Sequence, residues 1–252
     1  MNHSDDPPNE RLLLRVWVAP LGKGECVVSE DSGHYLTRVH RLSAGQAFIG
    51  FDPEQGTWAE GKIVAVERGK VRCVFLQPKP ARSERTSRIT LIQGIGKGDK
   101  PDRVIRAATE LGAFAVYFVR TERSVVSVGE RAAGRAERWK AIAIDAARQS
   151  GRPDLPALRY SDSLRGALSE LNSAALKLLF SPRAEVQLPA LLAQQKAAEI
   201  WLLVGPEGGF SAQEEQWAME QGFQLCRLGR HVLRTETAAV AALGALTAIL
   251  GE

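Results

Sequence analysis

The hydrophobic pattern of the chain changes character near residue 78. From residue 11 to about residue 77, short apolar or alternating runs such as "QAFIGFD" and "KVRCVFL" are separated by turn residues. Runs rich in Val, Ile, Phe and Trp predict β-strands, here of a small β-barrel-like domain at 11–78. The segment 34–42 within it predicts a short helix. The polar residues 1–10 predict a disordered tail, and the proline-containing, charged stretch 79–87 predicts a linker.

Beyond the linker, apolar strand candidates alternate with segments of helical period at 100–111, 131–149 and 212–221. This alternation predicts an α/β domain over residues 88–252, with a mostly parallel sheet that is covered on both faces. The strand candidates are "RITLIQ", "AVYFVR", "LKLLF", "EIWLLV" and "FQLCRL".

Composition narrows the class of protein. The chain has 252 residues, of which 44% are hydrophobic, so it can bury a substantial core. The apolar stretch 238–250 is too short to cross a bilayer, and the first ten residues have no apolar segment typical of a secretory signal, so we expect a cytoplasmic protein. The three cysteines and four histidines are scattered. We therefore expect reduced thiols and no metal site.

Positive charge is concentrated in the middle of the chain. Residues 79–152 contain 16 lysines and arginines against 8 aspartates and glutamates, whereas the whole chain has a formal net charge of +4. A basic segment attracts phosphates regardless of sequence, which is compatible with nucleic-acid binding. Solvated helix faces are the alternative explanation.

The segment "LVGPEGGF" at 203–210 places three glycines, a proline and a glutamate at the end of a predicted strand. Ligands of open α/β sheets bind at the carboxyl ends of strands, and glycine permits close backbone approach. Ser211 and Glu214 predict a capping box that opens the next helix, whose N-terminus attracts anions. The loop is therefore a candidate ligand site, with a tight turn that binds nothing as the alternative.

A second block, "LGRHVLRTETAAVAALGAL" at 228–246, also follows a predicted strand and opens a helix. Thr235 is the predicted N-cap, and Glu236 lies in the first turn, where the helix dipole favours an acidic side chain. The helix is apolar nearly all round, which predicts that it is buried. Capping explains Thr235 and Glu236 but not Arg234.

These two blocks resemble the cofactor-binding end of the SPOUT methyltransferases, and specifically the RsmE family, which methylates N3 of a uridine in 16S ribosomal RNA. The segments 94–113, 120–126 and 138–152 resemble further blocks of that family in the same order. The segments "RLLLRVWV" and "VHRLSAGQAF" resemble its PUA-like RNA-binding domain more weakly. The chain departs from the family at His231, where an arginine is usual, and lacks the lysine that commonly precedes "ATELG".

The resemblance implies a SPOUT methyltransferase domain with a C-terminal trefoil knot, preceded by a PUA-like β-barrel domain. It also implies S-adenosyl-L-methionine as cofactor, ribosomal RNA of the small subunit as partner, and a homodimer. The cofactor-binding residues that it implies are Val204, Gly205, Pro206, Glu207, Gly208, Gly209, Leu228, Gly229, Leu233, Arg234, Thr235 and Ala238.

Methylation of uridine N3 requires removal of a proton and stabilisation of the resulting anion. Arg234 is the candidate for stabilising the uracil oxyanion, and Glu207 or Glu236 would accept the proton if burial raises the pKa of its carboxyl. Two alternatives stay open, a SPOUT enzyme acting on another ribosomal or transfer RNA position and a non-catalytic RNA-binding assembly factor. The RNA contacts are expected among Arg11, Arg15, Arg38, Arg41, Lys97, Lys100, Arg103, Arg120, Arg123, Arg148 and Arg152.

Overall fold

The structure is a computed structural model that describes residues 13–80, 87–124, 132–169, 175–192 and 197–250. These residues divide into two compact units, one formed by 13–80 together with Ala147–Leu155 and the other by the rest. The placement of Ala147–Leu155 in the first unit differs from the expected boundary. Within that unit the Arg148 guanidinium lies 3.7 Å from the ring centroid of Tyr35, a cation–π contact that the sequence pattern does not reveal.

The first unit is built on a six-stranded sheet in the order β1-β3-β4-β5-β2, with β6 paired to β4. β1 runs parallel to β3, and the other pairs are antiparallel. The predicted helix 34–42 begins earlier, because Ser29 accepts a capping hydrogen bond from Ser32 N–H, and it continues as a π-helical turn, Tyr35–Val39. The elements are β1 (Arg15–Trp17), β2 (Gly24–Val27), α1 (Glu30–His34), β3 (Ala47–Asp52), β4 (Thr57–Glu67), β5 (Lys70–Phe75) and β6 (Lys79–Pro80).

Alternating apolar residues of this sheet form one core, in which Phe48, Ile63, Val71 and Phe75 are buried. Phe48 and Phe75 meet edge to face, with ring centroids 5.5 Å apart. β6 falls in the stretch that the sequence assigns to the linker, so the paired part of this unit extends two residues beyond 78.

The second unit contains a six-stranded sheet in the order β12-β10-β11-β7-β8-β9, in which every neighbouring pair is parallel. The prediction of a parallel α/β sheet is therefore confirmed. The elements are β7 (Arg88–Gly94), α2 (Lys100–Glu110), β8 (Ala115–Val119), α3 (Ala132–Ser150), β9 (Ala157–Ser161), α4 (Leu164–Ser169), β10 (Leu176–Phe180), α5 (Leu188–Leu192), β11 (Glu199–Val204), α6 (Ala212–Glu220), β12 (Gln224–Cys226) and α7 (Thr235–Leu250).

Helices cover both faces of this sheet. α2 packs against α7 and β8, and α7 also contacts β7 and β11. On the other face, residues of α4 and α6 pack with Trp201 and Leu203 of β11 in one buried cluster. The runs "RITLIQ" and "EIWLLV" are almost uninterrupted apolar sequences because both faces of a central parallel strand are buried. Among the described residues, no helix is long and apolar enough to cross a membrane.

Candidate functional site

A cavity of about 620 Å³ lies at the carboxyl ends of β10, β11 and β12. Its walls are the loops that follow these three strands, together with the start of α7. The order of the strands reverses between β7 and β11, and the crevice outside such a switch point is where open α/β sheets bind their ligands. The volume falls in the range of small-molecule sites, roughly 300–1,000 Å³.

All twelve residues that the resemblance implies for the cofactor line this one cavity. They belong to two loops that approach each other only in the folded sheet, since β12 is separated from β11 by β10. Their role as cofactor ligands stays a prediction. Val204, Gly205, Pro206, Glu207, Gly208 and Gly209 come from the loop after β11, and Leu228, Gly229, Leu233, Arg234, Thr235 and Ala238 come from the loop after β12 and the start of α7.

The glycine loop is held at both of its ends. At its start, Pro206 packs so closely on Gly94 at the end of β7 that a Cβ atom at 94 would lie 2.5 Å from the nitrogen of Pro206. Gly209, with φ of +68°, closes the turn by donating its N–H to the carbonyl of Pro206 at 2.9 Å. The loop then enters α6, where the predicted capping box of Ser211 and Glu214 is confirmed.

A buried hydrogen-bond chain joins the loop to β7 and α7. The amide of Gln93 donates to Oγ1 of Thr235 at 2.6 Å, and that hydroxyl donates to the carbonyl of Gly205 at 2.5 Å. The prediction that Thr235 is the N-cap of α7 is therefore wrong. Thr235 is the first residue of the helix, Arg234 precedes it and accepts from Ala238 N–H, and the hydroxyl is used in a tertiary contact.

Glu207 is fixed by the segment that follows β7. Its Oε1 accepts from Nζ of Lys100 at 2.6 Å and from the N–H of Lys97 at 3.1 Å. Partial burial raises the pKa of the Glu207 carboxyl, but these hydrogen bonds and the Lys100 charge outweigh it, so the pKa is lowered overall. The condition on which Glu207 would accept the proton, a pKa raised by burial, is therefore not met, because the donors of Lys97 and Lys100 stabilise the ionised form.

The other two candidate catalytic residues differ in their surroundings. Arg234 is exposed and lines the cavity. The Glu236 side chain is only 12% exposed, and its Oε2 has no hydrogen-bond donor among the described residues, although Nζ of Lys100 lies 3.8 Å away. Lys100 therefore lies between the carboxylates of Glu207 and Glu236.

The basic residues of the second unit that are predicted to contact RNA differ in their surroundings. Arg123 lies at the cavity, since its Nη1 donates to the carbonyl of Gly208 at 3.1 Å. Lys97 and Arg120 are exposed near the ends of β7 and β8. Arg103 is exposed but paired with Asp99 at 3.0 Å, within one turn of helix. Lys100 is engaged by the two glutamates.

The predicted basic residues of the first unit are less uniform. Arg38 and Arg41 are exposed, whereas Arg15 is partly buried, with its guanidinium 5.3 Å from the ring centroid of Phe51. Arg148 lies over Tyr35. Arg11 lies outside the described residues.

One of these RNA-contact predictions requires correction. The side chain of Arg152 is only 5% exposed, and its Nε donates to Oδ1 of Asp154 at 2.9 Å. A guanidinium that is buried to this extent is not accessible to a phosphate at the protein surface. Arg152 is therefore assigned to the packing of the first unit and not to an RNA surface.

Sequence reasoning missed the third wall of the cavity. It consists of Phe180, the last residue of β10, and of residues 181–183, which follow that strand. In addition, Arg227 and His231 line the cavity from the loop after β12. The signal was present, because "LKLLF" is a predicted parallel strand and its carboxyl end must lie at the same edge of the sheet as that of "EIWLLV". Within the described residues, no group of three or more His, Cys, Asp or Glu side chains is placed to hold a metal ion.

Comparison with known proteins first defines the class. The family model for the RNA methyltransferase domain matches residues 83–247. The ribosomal RNA small subunit methyltransferase E of Synechocystis is 32% identical over 249 residues, which cover 95% of this chain and 78% of the relative, and the Bacillus subtilis protein of that name is 29% identical over 87% of this chain and 88% of its own length. The chain belongs to the ribosomal RNA small subunit methyltransferase E family.

Solved structures agree with this assignment. A crystal structure of ribosomal RNA small subunit methyltransferase E from Neisseria gonorrhoeae bound to S-adenosyl methionine is 33% identical, with a TM-score of 0.82, and the match covers 94% of this chain and 98% of that one. A methyltransferase from Legionella pneumophila with bound cofactor SAM is 29% identical, with a TM-score of 0.83 and the same two coverages. The match in fold thus extends over nearly the whole chain.

Proposed function

We propose that this protein transfers a methyl group from S-adenosyl-L-methionine to N3 of a uridine in 16S ribosomal RNA of the small subunit. The observation that carries the proposal is the convergence of the two family blocks on one cavity at the carboxyl ends of β10, β11 and β12, beside the switch point of the sheet. Relatives from Neisseria gonorrhoeae and Legionella pneumophila, with matching folds, bind this cofactor. When bound, S-adenosyl-L-methionine supplies an electrophilic methyl group on a sulfonium.

The residues of the cavity fit this cofactor. Val204, Leu228 and Leu233 offer apolar contacts for an adenine ring, and the glycine loop exposes backbone groups for its polar edge. Arg227 lines the cavity, and its Nε is buried without an acceptor in the described part of the chain. A cofactor that carries a carboxylate would balance the charge of this guanidinium.

The side chains suggest how the reaction proceeds. Holding the base in line with the methyl group avoids an entropy loss of several kcal/mol, roughly 7–11 in the best-oriented systems. Exposed Arg234 would stabilise the uracil oxyanion. Glu207, with its lowered pKa, is a weaker base than an ordinary carboxylate, so we assign it to fixing the loop. Glu236 is the better candidate proton acceptor, since its Oε2 lacks hydrogen-bond donors within the described residues.

The finer architecture of the family is part of the proposal. We infer a trefoil knot, supported by the return of the chain after β12 to the loop after β11, where Thr235 contacts Gly205. A homodimer is supported by apolar Val240 and Ile249, which are 37% and 51% exposed on helix α7, a helix that is buried along one face only and not all round as its apolar sequence predicts. The mixed sheet of the first unit would serve as the PUA-like RNA-binding domain, and the protein would act in the cytoplasm.

Two measurements test the proposal. Calorimetry with S-adenosyl-L-methionine should show binding at micromolar protein, and its absence would support the non-catalytic assembly factor. Mass spectrometry of ribosomal RNA should show that N3-methyluridine is lost from cells lacking the gene and restored by the wild-type gene. If N3-methyluridine persisted undiminished while another ribosomal or transfer RNA modification vanished, the target would be that other position.

A further inference from the structure

A second cavity, of about 370 Å³, opens at the carboxyl ends of β8 and β9. It is formed by the segment after β8, the segment that joins β9 to α4, and the first turns of α6. The function proposed above makes no use of it. Its walls include Arg120, Glu122, Asp162, Arg165 and Trp217.

The second cavity borders the first through two shared elements. The segment after β8 reaches both, because Arg123 donates to the carbonyl of Gly208 at 3.1 Å and the N–H of Glu122 donates to Oε1 of Glu214 at 3.0 Å. Helix α6 also faces both, with Glu215 in the wall of the first cavity and Glu214 in the wall of the second. Two cavities that share these elements suit an RNA strand that places one nucleotide in the first and a nearby nucleotide in the second.

A stacking surface lies in the second cavity. The guanidinium of Arg165 is 5.3 Å from the ring centroid of Trp217, with Arg165 exposed and Trp217 half-buried. Unstacked RNA bases bind to proteins by stacking on aromatic rings and on arginine planes. The Arg165–Trp217 pair therefore offers a surface on which an RNA base can stack.

The charges of the cavity favour a base over a phosphate. Its lining contains three carboxylates and two guanidiniums, so an isolated anion gains little there. Glu214 already accepts from the N–H groups of Ser211 and Glu122, whereas Glu122 and Asp162 present exposed carboxylates. Tyr160 holds Asp162 by donating its hydroxyl to Oδ1 at 2.9 Å.

A carboxylate accepts two neighbouring hydrogens, and guanine is the RNA base whose Watson–Crick edge presents two adjacent donors, N1–H and N2–H. We propose that the second cavity is a subsite for a guanine base adjacent to the methylated nucleotide, stacked on Arg165 and Trp217 and held at its edge by Asp162. The inference rests on the proposed function for its RNA substrate and adds a sequence preference to it.

The test is RNA binding by the full chain, measured by fluorescence anisotropy. The probes are hexauridine and hexamers in which one guanosine replaces each uridine in turn. Guanosine at one position should tighten binding about tenfold or more, and Trp217→Ala and Arg165→Ala should remove this gain. Asp162→Asn should reduce the preference for guanosine over adenosine at that position. Arg106→Ala, an exposed arginine of α2 that lines neither cavity, should keep both effects.

Cofactor affinity measured on each variant by calorimetry separates the outcomes. Unchanged cofactor affinity shows that the variant is folded. If Trp217→Ala does not fold, Arg165→Ala and Asp162→Asn still test the subsite, because both side chains are exposed and their replacement should not unfold the protein. Equal binding of all hexamers, or a guanosine preference that survives Asp162→Asn and Arg165→Ala, overturns the subsite even if the enzyme methylates ribosomal RNA. A guanosine preference in a protein that binds no cofactor would instead retain the subsite and overturn the proposed function.

Discussion

Replacing Thr235 by valine removes one hydroxyl from the contact that joins β7, the loop after β11 and α7. The side chain is buried, at 7% exposure, and valine has nearly the same shape, so no cavity is created. Two hydrogen bonds are lost, at 2.5 Å to Gly205 and 2.6 Å from Gln93. Because the Gln93 amide also contacts the carbonyls of Gly94 and Gly205 at 3.2 and 3.3 Å, its donors keep acceptors. At about 0.5–1.5 kcal/mol for each bond, we expect a loss of about 2 kcal/mol.

Differential scanning calorimetry measures this effect. A loss of about 2 kcal/mol corresponds to a Tm lower by roughly 4–8 °C, since domains of about 150–250 residues shift by about 2–4 °C per kcal/mol. The affinity for S-adenosyl-L-methionine should fall as well, because the Gly205 carbonyl helps to fix the cavity wall. Thr247→Val is the matched control. It lies in the same helix and loses one hydrogen bond, to Leu111 at 3.1 Å, so it should cost about 1 kcal/mol and leave cofactor affinity unchanged.

If Thr235→Val melts within about 1 °C of Thr247→Val and binds the cofactor like the wild type, the Thr235 hydroxyl does not hold the three elements together. A double-mutant cycle with Gln93→Ala checks the same contact independently. The two substitutions share a hydrogen bond, so their effects should fall short of additivity by about 0.5 kcal/mol or more. Additive effects would show that the hydroxyl and the amide do not act together.

Three further predictions concern other parts of the chain. Gly229→Leu should abolish cofactor binding in calorimetry with little change in Tm, because a Cβ atom there meets nothing within 4 Å and the residue lines the cavity; undisturbed binding would contradict the site. Glu207→Gln should lower the free energy of unfolding at pH 7 by less than about 1 kcal/mol, since the side chain is 35% exposed. The pKa of Glu207 in the folded protein lies below 4.5, so the difference in stability between wild type and variant, measured by urea unfolding, should vanish as the pH falls through that folded pKa. A difference that persists at pH 2 would contradict this assignment. Burial raises the pKa of Cys73 and Cys226 to about 12, so at pH 8 iodoacetamide should modify them only after urea unfolding, as read by mass spectrometry, and rapid labelling of the native protein would contradict their burial.

Much of the second unit could be predicted because its strands are nearly pure apolar runs. "EIWLLV" and "LKLLF" match β11 and β10 residue for residue. β9, "ALRYS", escaped prediction because it lies at the edge of the sheet, where mixed polar residues are tolerated and the apolar signal weakens. The shift of Ala147–Leu155 into the first unit also lay beyond the sequence, since helical period does not say which unit a helix end contacts.

Site residues that are consecutive in the chain could be predicted from the sequence. Contacts between residues that are distant in the chain could not, because they form only in the folded protein. Glycine-rich loops at strand ends pointed to the cavity wall after β11. The local rule for helix capping failed at Thr235, because a hydroxyl at a helix start is equally able to bond to a distant carbonyl, here that of Gly205. Arg152 was likewise predicted to contact RNA from its charge alone, whereas its burial depends on tertiary packing.

The role of Glu207 shows how far tertiary contacts alter a chemical assignment. Within "GPEGG" the glutamate has no neighbour to neutralise it, and both a proton acceptor and a cofactor ligand are reasonable hypotheses. Lys100 lies 107 positions earlier in the chain, yet in the parallel sheet β7 and β11 are adjacent, so the segments that leave their carboxyl ends must meet. The resulting ion pair lowers the basicity of Glu207 and ties the glycine loop to the start of α2. The same lysine approaches Glu236 to 3.8 Å, so one cation links the loop that forms the cavity to the helix that closes it.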